Sequence, residues 1–380
     1  MYGTIIGDVV GSYYEVLEVN DLKNRKVRFY DERIKIMDKN TPLFTSKKSI
    51  TDDSILTCAI ADAILNKKNY EEKLREYGLR EISFGNDMYN RGRFGKGFIN
   101  WLNNDSKCDS FGNGCAMRIS SVGYLFDDVD TIKKESKLAT ITSHNHPDSI
   151  KCSEAVAVSI YLLRNGISKD ELKKYIEDNY FKLDYDLEEL RHNYKFTSKA
   201  IDSVPQSIFC FLESTDFENA IRTAISIGGD SDTIACITGS LAESFYGVPN
   251  ELIKEVKPYI KDYMKPIINK FYIQYIFNNF LKDNNISKDF LDYIKDKTLI
   301  VPNTSNAYGC FPILNEDGKL ISIRLLVPEM KTQKDLCINI HEYTHAFELY
   351  KELGSIYIED RNNRELRASN MEKKYVKRDY

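Results

Sequence analysis

Apolar residues recur at helical spacing through the first 265 residues of the chain. In the run over residues 55–64, apolar positions three and four apart share one face of a helix. Similar runs cover residues 155–162 and 234–245, and the second of these ends at Gly247, a typical helix stop. Strand-like alternation of polar and apolar positions is scarce here. The pattern therefore predicts an all-α first domain.

The pattern changes after about residue 270. Residues 271–297 still have helical spacing, but several short β-branched and apolar runs follow, with a good hairpin turn at residues 315–318. The predicted elements, in order, are strands at 298–301, 311–314 and 320–327, a helix at 334–353 stopped by Gly354, and a helix at 363–377. The predicted fold is thus mainly all-α over residues 1–268, with a small α+β domain over residues 269–380.

Composition narrows the classes of protein. A chain of 380 residues is long enough for two domains, and a net charge of −4 argues against a large nucleic-acid-binding surface. No run of about 18 apolar residues predicts a membrane span, and the N-terminus has no signal-peptide pattern. The eight cysteines form no CxxC pair, which is typical of reduced thiols. We expect a cytoplasmic protein with no nucleic-acid or membrane partner.

Two acidic clusters stand out, Thr51-Asp52-Asp53-Ser54 and the segment from Gly228 to Thr233 with Asp230 and Asp232. Carboxylates two residues apart repel each other unless a cation or a proton lies between them. Oxygen-only ligands favour Mg²⁺, Mn²⁺ or Ca²⁺ over zinc. The clusters predict one divalent metal centre, mononuclear or binuclear, built from two distant segments. The alternative is helix capping, because each cluster precedes an apolar helical run.

Several further motifs accompany these clusters. The chain opens with GDVVGSYYE, in which the glycines allow close helix packing and Glu15 can approach a polar centre. Residues 110–118 form a glycine-rich turn, whose backbone N–H groups suit a phosphate, although a plain turn is the simpler interpretation. His144 and His146 are candidate ligand contacts, although each alone is more typical of a helix-entry or capping residue.

The motifs GDVVGSYYE, TDDS, SFGNGCAMR, SHNHP and GGDSDTIACITGSLAESFYG occur in that order over residues 3–250. This set resembles the ADP-ribosylglycohydrolase family, the group that includes the dinitrogenase-reductase-activating glycohydrolase. Two departures are mild: Ser54 stands where threonine is usual, and Phe111 where tyrosine is common. Phe111 keeps a ring for stacking but has no hydroxyl.

The resemblance implies an all-α fold with two Mg²⁺ ions, for which Mn²⁺ can substitute. The implied metal ligands are Thr51, Asp52, Asp53, Asp230, Asp232 and Thr233. Glu15 is implied to lie beside the metals, and the implied substrate contacts are Gly95, Gly97, Ser110, Gly112, Asn113, Gly114 and His144. The implied substrate is an ADP-ribosylated protein or an ADP-ribose-containing small molecule.

Cleavage of a glycosidic bond at the ribose anomeric carbon develops oxocarbenium character. Two cations can hold the ribose diol and activate a water, while a carboxylate transfers protons. Asp52, Asp53 and Asp232 are the candidates for this transfer, and the sequence does not choose among them.

The C-terminal part carries a second motif, His341-Glu342-Tyr343-Thr344-His345. Two histidines one helical turn apart share a face and can bind Zn²⁺, and Glu342 can polarise a zinc-bound water. A strand before this helix and a helix after it resemble a minimal zincin metallopeptidase. Its third ligand is then Glu365, or alternatively Glu372, whereas Glu348 is typical of a solvated acid.

Three functions follow as hypotheses. The first is a hydrolase that releases ADP-ribose from a protein or a small acceptor. The second is an ADP-ribose-binding module without turnover, and the third is a zinc metallopeptidase whose first domain recognises ADP-ribosylated targets. The two acidic clusters favour the first, because carboxylates are costly to hold together without a metal.

Overall fold

The computed structural model describes residues 1–24, 28–83, 94–103, 109–302, 308–353, 355 and 361–376. The chain divides into two compact units, Met1–Ile267 and Ile268–Tyr380. The first is helical, and the second combines helices with a three-stranded sheet. The predicted fold class is therefore confirmed. Among the described residues, no helix has the length and apolar character needed to cross a membrane.

The first unit is built from short and medium helices. In order they are α1 (Tyr2–Asn24), α2 (Arg28–Lys35), α3 (Asp52–Leu65), α4 (Tyr70–Ser83), α5 (Lys96–Asn103), α6 (Gly114–Met117), α7 (Ser120–Leu125), α8 (Val129–Ile141), α9 (Pro147–Arg164), α10 (Lys169–Asn179), α11 (Leu187–Asn193), α12 (Val204–Glu213), α13 (Phe217–Ser226), α14 (Ser231–Tyr246) and α15 (Asn250–Val256). Two 3₁₀ turns lie at Ala200–Asp202 and Lys257–Tyr259.

The centre of the first unit is helix α14, whose residues 231–242 are all buried. Helix α1 crosses it at close range through glycines spaced four residues apart. A Cβ built on Gly3, Gly7 or Gly11 would lie 2.2, 2.0 or 2.4 Å from a backbone oxygen of α14. No side chain fits at these points, so glycine is what lets the two backbones touch. The expected close packing at this motif is confirmed.

The second unit contains α16 (Lys265–Asp283), which starts at the unit boundary, then α17 (Lys288–Lys295), β1 (Thr298–Val301), β2 (Gly309–Leu314), β3 (Leu320–Pro328), α18 (Gln333–Lys351) and α19 (Arg361–Val376). The sheet order is β1-β3-β2, with β1 parallel and β2 antiparallel to the central strand. The inner face of β3 packs against α17 and α18 through Ile323, Leu325, Phe290, Ala346 and Leu349.

Several predicted boundaries differ from the structure; the helices predicted over 334–353 and 363–377, for example, span Gln333–Lys351 and Arg361–Val376. Gly354, the predicted helix stop, lies outside the described residues. The helical run over 271–297 is two helices, because Asn285 has a positive φ of 51° and Ser287 caps α17 through the backbone N–H of Phe290. Strand β2 begins at Gly309, two residues before its predicted start, and pairs there with Leu326 of β3.

Candidate functional site

The two acidic clusters lie at the N-termini of α3 and α14, two largely buried helices. Thr51 is the N-cap residue of α3 and Asp230 that of α14, yet neither side chain makes a capping hydrogen bond. A helix-capping role for these two residues is therefore contradicted. Their side chains are turned toward other groups, and these groups are mostly carboxylates.

Five carboxylates form two groups that share one member. Oxygen atoms of Asp8, Asp53 and Asp232 lie within 4.8 Å of one another, and so do oxygen atoms of Glu15, Asp230 and Asp232. Oδ1 of Asp53 is buried without a hydrogen-bond partner among the described residues. A buried anionic oxygen without a donor is suited to a cation, and these all-oxygen groups are of the kind that Mg²⁺ binds. The residues present therefore fit a divalent metal centre.

The electrostatics of the groups point the same way. Burial, and then the nearby charge of Asp232, raises the pKa of Asp8 to about 6. The same two causes raise the pKa of Asp52, Asp53 and Asp230 well above the ordinary value. Each carboxylate is thus held close to like charges in a mostly buried position. A bound divalent cation would relieve this repulsion.

Asp8 is a member of these groups that sequence reasoning did not assign. It accepts hydrogen bonds from the Thr51 backbone N–H and hydroxyl at 3.0 and 2.6 Å. The backbone N–H of Ser54 donates to it at 3.1 Å, and the Ser54 hydroxyl donates as well. Serine thus supplies the hydroxyl where threonine is usual in the family. The available signal was a lone carboxylate between apolar residues of a glycine-lined helix.

Of the five grouped carboxylates, all but Asp8 lie in the wall of a cavity of about 350 Å³, a size typical of small-molecule sites (~300–1,000 Å³). The predicted residues that line it are Glu15, Asp52, Asp53, Gly95, Gly97, Ser110, Gly112, Asn113, Gly114, His144, Asp230, Asp232 and Thr233. Thr51 is buried behind them and holds Asp8. The lining residues that were not predicted include Lys96, Phe98, Arg118, Ser143, Phe196 and Ser198.

The glycine-rich turn is held on both sides. Its backbone pairs with His144 through Asp109 and with Lys199 through Gly112. The Asn113 side-chain amide donates to Oδ2 of Asp230 at 2.8 Å, which ties the turn to the acidic groups. Gly95 and Gly97 also line the cavity, and a Cβ built on either would meet nothing within 4 Å. The space beside these two glycines is therefore open.

The two candidate histidines have different environments. The side chain of His146 accepts from the Asp148 backbone N–H at 3.2 Å and caps α9, as the alternative interpretation expected. His144 is buried and lines the cavity. Burial, with a contribution from the Arg118 charge, lowers the pKa of His144 well below its ordinary value. His144 is therefore a neutral imidazole at physiological pH.

In the second unit, α18 and α19 bring His341, His345 and Glu365 together. The Nε2 atoms of the two histidines are 3.1 Å apart, and Glu365 lies 3.1 Å from the first and 3.6 Å from the second. Tetrahedral zinc with nitrogen ligands at 2.0–2.1 Å implies ligand–ligand distances of about 3.3–3.4 Å. The three groups therefore already have the spacing of three corners of such a site.

The alternative ligands are differently placed. Glu372 lies 3.6 Å from Nδ1 of His341, on the opposite side of the ring from the Nε2 that approaches Glu365. Glu348 binds Arg367 at 3.2 Å. Glu342 is half-buried, and burial raises its pKa above the ordinary value, which suits a group that takes up a proton. Of the three glutamates weighed as a third zinc ligand, Glu348, Glu365 and Glu372, it is Glu365 that has the geometry of a ligand.

The sequence is similar to those of several known ADP-ribosylhydrolases. ADP-ribosylhydrolase ARH3 of Mus musculus is 25% identical over 323 residues, covering 65% of this chain and 82% of its own. ADP-ribosylarginine hydrolase Tri1 of Pseudomonas putida (strain GB-1) is 21% identical over 285 residues, covering 67% of this chain and 72% of its own.

A solved structure, an ADP-ribosylglycohydrolase-related protein complex, matches with a TM-score of 0.52 at 17% identity. The match covers 72% of this chain and 95% of that chain, and it bears on the fold alone. The model of the ADP-ribosylglycohydrolase family matches residues 1–278, which contain all the carboxylates described above except those of the His341 cluster. The chain belongs to the ADP-ribosylglycohydrolase family.

Proposed function

We propose that this protein is a Mg²⁺-dependent hydrolase that cleaves the bond between ADP-ribose and a protein side chain or a small acceptor. The observation that carries the proposal is the pair of carboxylate groups that share Asp232, a residue in the wall of the small-molecule cavity. Relatives named for ADP-ribosylhydrolase and ADP-ribosylarginine hydrolase activity support it.

In this proposal, Thr51, Asp52, Asp53, Asp230, Asp232 and Thr233 hold the ions, together with Asp8. When bound, Mg²⁺ would hold the ribose diol and acidify a water. Glu15 lies beside Asp230 and Asp232 at the cavity wall. Asp52 is partly exposed and lines the cavity, and burial and the nearby charge of Asp232 raise its pKa, which suits a carboxylate that takes up a proton there.

The opposite wall is proposed to hold the rest of the substrate. Ser110, Gly112, Asn113 and Gly114 offer small side chains and backbone groups that suit a diphosphate or a ribose. Gly95 and Gly97 leave room for it, because no protein atom occupies the space that a Cβ would take. Lys96 adds a positive charge at the same wall, which complements a phosphate.

The test is the release of free ADP-ribose from a panel of linkages, including ADP-ribosylated arginine and serine peptides and small esters of ADP-ribose. We expect Mg²⁺-dependent release from at least one linkage, and its loss with EDTA. Binding of free ADP-ribose without release from any linkage, in folded protein, would favour the binding module. Release that is unchanged by EDTA would contradict the metal assignment.

Metal and proton are expected to compete for the acidic groups. The folded metal-free protein has carboxylates with raised pKa, such as Asp8 at about 6, whereas an unfolded aspartate ionises near pH ~3.9. Folding is therefore opposed by ionisation, and the stability of the metal-free protein falls as pH rises through these pKa values. Mg²⁺ binds the ionised form, so we expect it to raise Tm more at pH 7.5 than at pH 5.

This pH dependence is checked by thermal unfolding of EDTA-treated protein with and without Mg²⁺. The samples with and without Mg²⁺ are compared at the same pH, so the titration of groups elsewhere affects the Tm of both equally. Asp178→Asn serves as a surface control, because Asp178 is exposed and pairs only with Lys174 at 2.8 Å among the described residues. A Mg²⁺-induced shift of equal size at both pH values would argue that the ion binds elsewhere.

We also propose that the second unit is a zincin-like domain in which His341, His345 and Glu365 bind Zn²⁺ and Glu342 acts as general base for peptide hydrolysis. The specific observation is the near-tetrahedral spacing of the three ligand groups without a metal. Arg364 binds Glu352 with two hydrogen bonds of 2.9 and 2.7 Å beside Glu365, which fixes the start of α19 against the end of α18.

The protein, with both units present, is expected to contain one zinc ion per chain after purification, and His345→Ala is expected to lose it. His192→Ala is the matched control, because His192 bonds Tyr30 and the Glu188 carbonyl, far from this motif in the sequence. Metal content is measured by elemental analysis. Glu342→Gln should keep the zinc and lose cleavage of a casein substrate. Equal zinc content in His345→Ala and the parent protein would refute the site.

A further inference from the structure

Three buried side chains in the cavity wall of the first unit form a hydrogen-bonded row. Nη2 of Arg118 donates to Oγ of Ser143 at 2.8 Å, and the same Oγ lies 2.8 Å from Nδ1 of His144. Arg118 and Ser143 are 1% exposed and His144 is 8% exposed. Sequence reasoning considered only the last of the three.

The chemistry of the groups sets the direction of each hydrogen bond. A guanidinium has donors and no acceptor, so Ser143 must accept from Arg118. The hydroxyl proton of Ser143 then has one acceptor within reach among the described residues, Nδ1 of His144. The opposite arrangement, with a proton on Nδ1, would bury that hydroxyl proton without a partner, at a cost of about 1–3 kcal/mol. Nδ1 is therefore unprotonated, and Nε2 carries the proton of the neutral ring.

The Nε2 atom faces the cavity. It lies 3.3 Å from where a Cβ of Gly114 would be and 3.6 Å from that of Gly112, and His144 lines the cavity wall. Within the part of the chain that the structure describes, Nε2 has no hydrogen-bond partner. An N–H that opens into a cavity without a protein acceptor is expected to find its acceptor in a ligand or water.

We infer that Arg118, acting through Ser143, holds His144 in the Nε2–H form, so that the ring donates a hydrogen bond to an anionic oxygen of the substrate. The phosphate oxygens of an ADP-ribose group are the matching acceptors, and in this respect the inference rests on the proposed function. His144 is then a neutral donor that keeps its proton throughout the reaction. Arg118 and Ser143 are positioning residues.

The tautomer is measured directly by NMR. The full chain, labelled with ¹⁵N-histidine, contains five histidines, so long-range ¹H–¹⁵N correlations are few, and His144→Asn assigns the relevant ring. We expect an unprotonated Nδ1 and a protonated Nε2 across pH 6 to 8. A protonated Nδ1, or a ring that exchanges between tautomers, would overturn the inference whatever the enzyme hydrolyses.

The functional test compares Ser143→Ala with Ser143→Thr. Removing the hydroxyl should weaken binding of free ADP-ribose and raise KM about tenfold, the equivalent of one neutral hydrogen bond, while kcat changes less. Ser143→Thr keeps the hydroxyl and should restore KM. Ser159→Ala is the control, since Ser159 is an equally buried serine that bonds the Ala155 carbonyl in α9.

The outcomes separate this inference from the proposed function. Absence of both ADP-ribose binding and hydrolysis in the parent protein would remove the proposed function, while the NMR result would still report the tautomer. Normal hydrolysis by the parent with an unchanged KM in Ser143→Ala would overturn the inference alone. A fall in kcat and Tm without a change in KM would indicate a merely structural role and would overturn it too.

Discussion

Asp232→Asn is expected to lower the rate of ADP-ribose release by about a thousandfold, equivalent to about 4 kcal/mol of transition-state stabilisation. Asp232 is the one residue common to both carboxylate groups, so its loss weakens both ion positions at once. Asp8→Asn or Glu15→Gln removes a member of one group only, and each should have a smaller effect. The measurement is kcat/KM at saturating Mg²⁺.

The stability of the metal-free variant separates a lost metal centre from a lost fold. The charge of Asp232 is a cause of the raised pKa of Asp8, Asp52, Asp53 and Asp230. Removing it relieves repulsion, so Asp232→Asn should unfold in EDTA at a higher temperature than the parent. It should also lose most of the Mg²⁺-induced rise in Tm. Parent-like hydrolysis in this variant would exclude the shared-ligand arrangement.

Much of the first unit could be predicted from the sequence because its signals are local. The apolar spacing over residues 55–64 and 234–245 predicted α3 and α14, and the glycines of the opening motif predicted a close helix contact. The family motifs identified which residues line one cavity, although residues 15, 95 and 144 are far apart in the sequence. Order and spacing sufficed there, since most of these motifs stand at an element end, the exception being the opening motif inside α1.

The misses have a different physical origin. Asp8 joins the acidic groups through the hydroxyls and N–H groups of Thr51 and Ser54, a contact between segments more than 40 residues apart. Ser143 and Arg118 matter through the direction of a hydrogen bond, which depends on side-chain rotamers. The choice between Glu365 and Glu372 depended on the rotation of α19 about its axis, which no residue pattern in a polar helix defines.

Gly7→Ala is expected to destabilise the protein by about 3 kcal/mol or more, a large fraction of a typical unfolding free energy of ~5–15 kcal/mol. The added Cβ would lie 2.0 Å from the Ala235 oxygen and 2.6 Å from the Cys236 nitrogen. Both are backbone atoms of α14, so no change of rotamer makes room and the helices must separate. Asp8 follows Gly7 directly, so the same movement should also weaken Mg²⁺ binding.

The sign of this effect distinguishes packing from helix propensity. In a helix without tertiary contacts, alanine is more stable than glycine by up to about 1 kcal/mol. Gly97 of α5 occupies a helix position of this kind, because nothing lies within 4 Å of the place where its Cβ would be. Gly97→Ala should therefore keep or slightly raise Tm, whereas Gly7→Ala should lower it sharply in the same thermal unfolding assay. If the two variants unfolded at the same temperature, the close crossing of α1 and α14 would contribute nothing to stability, and Asp8 would need another support.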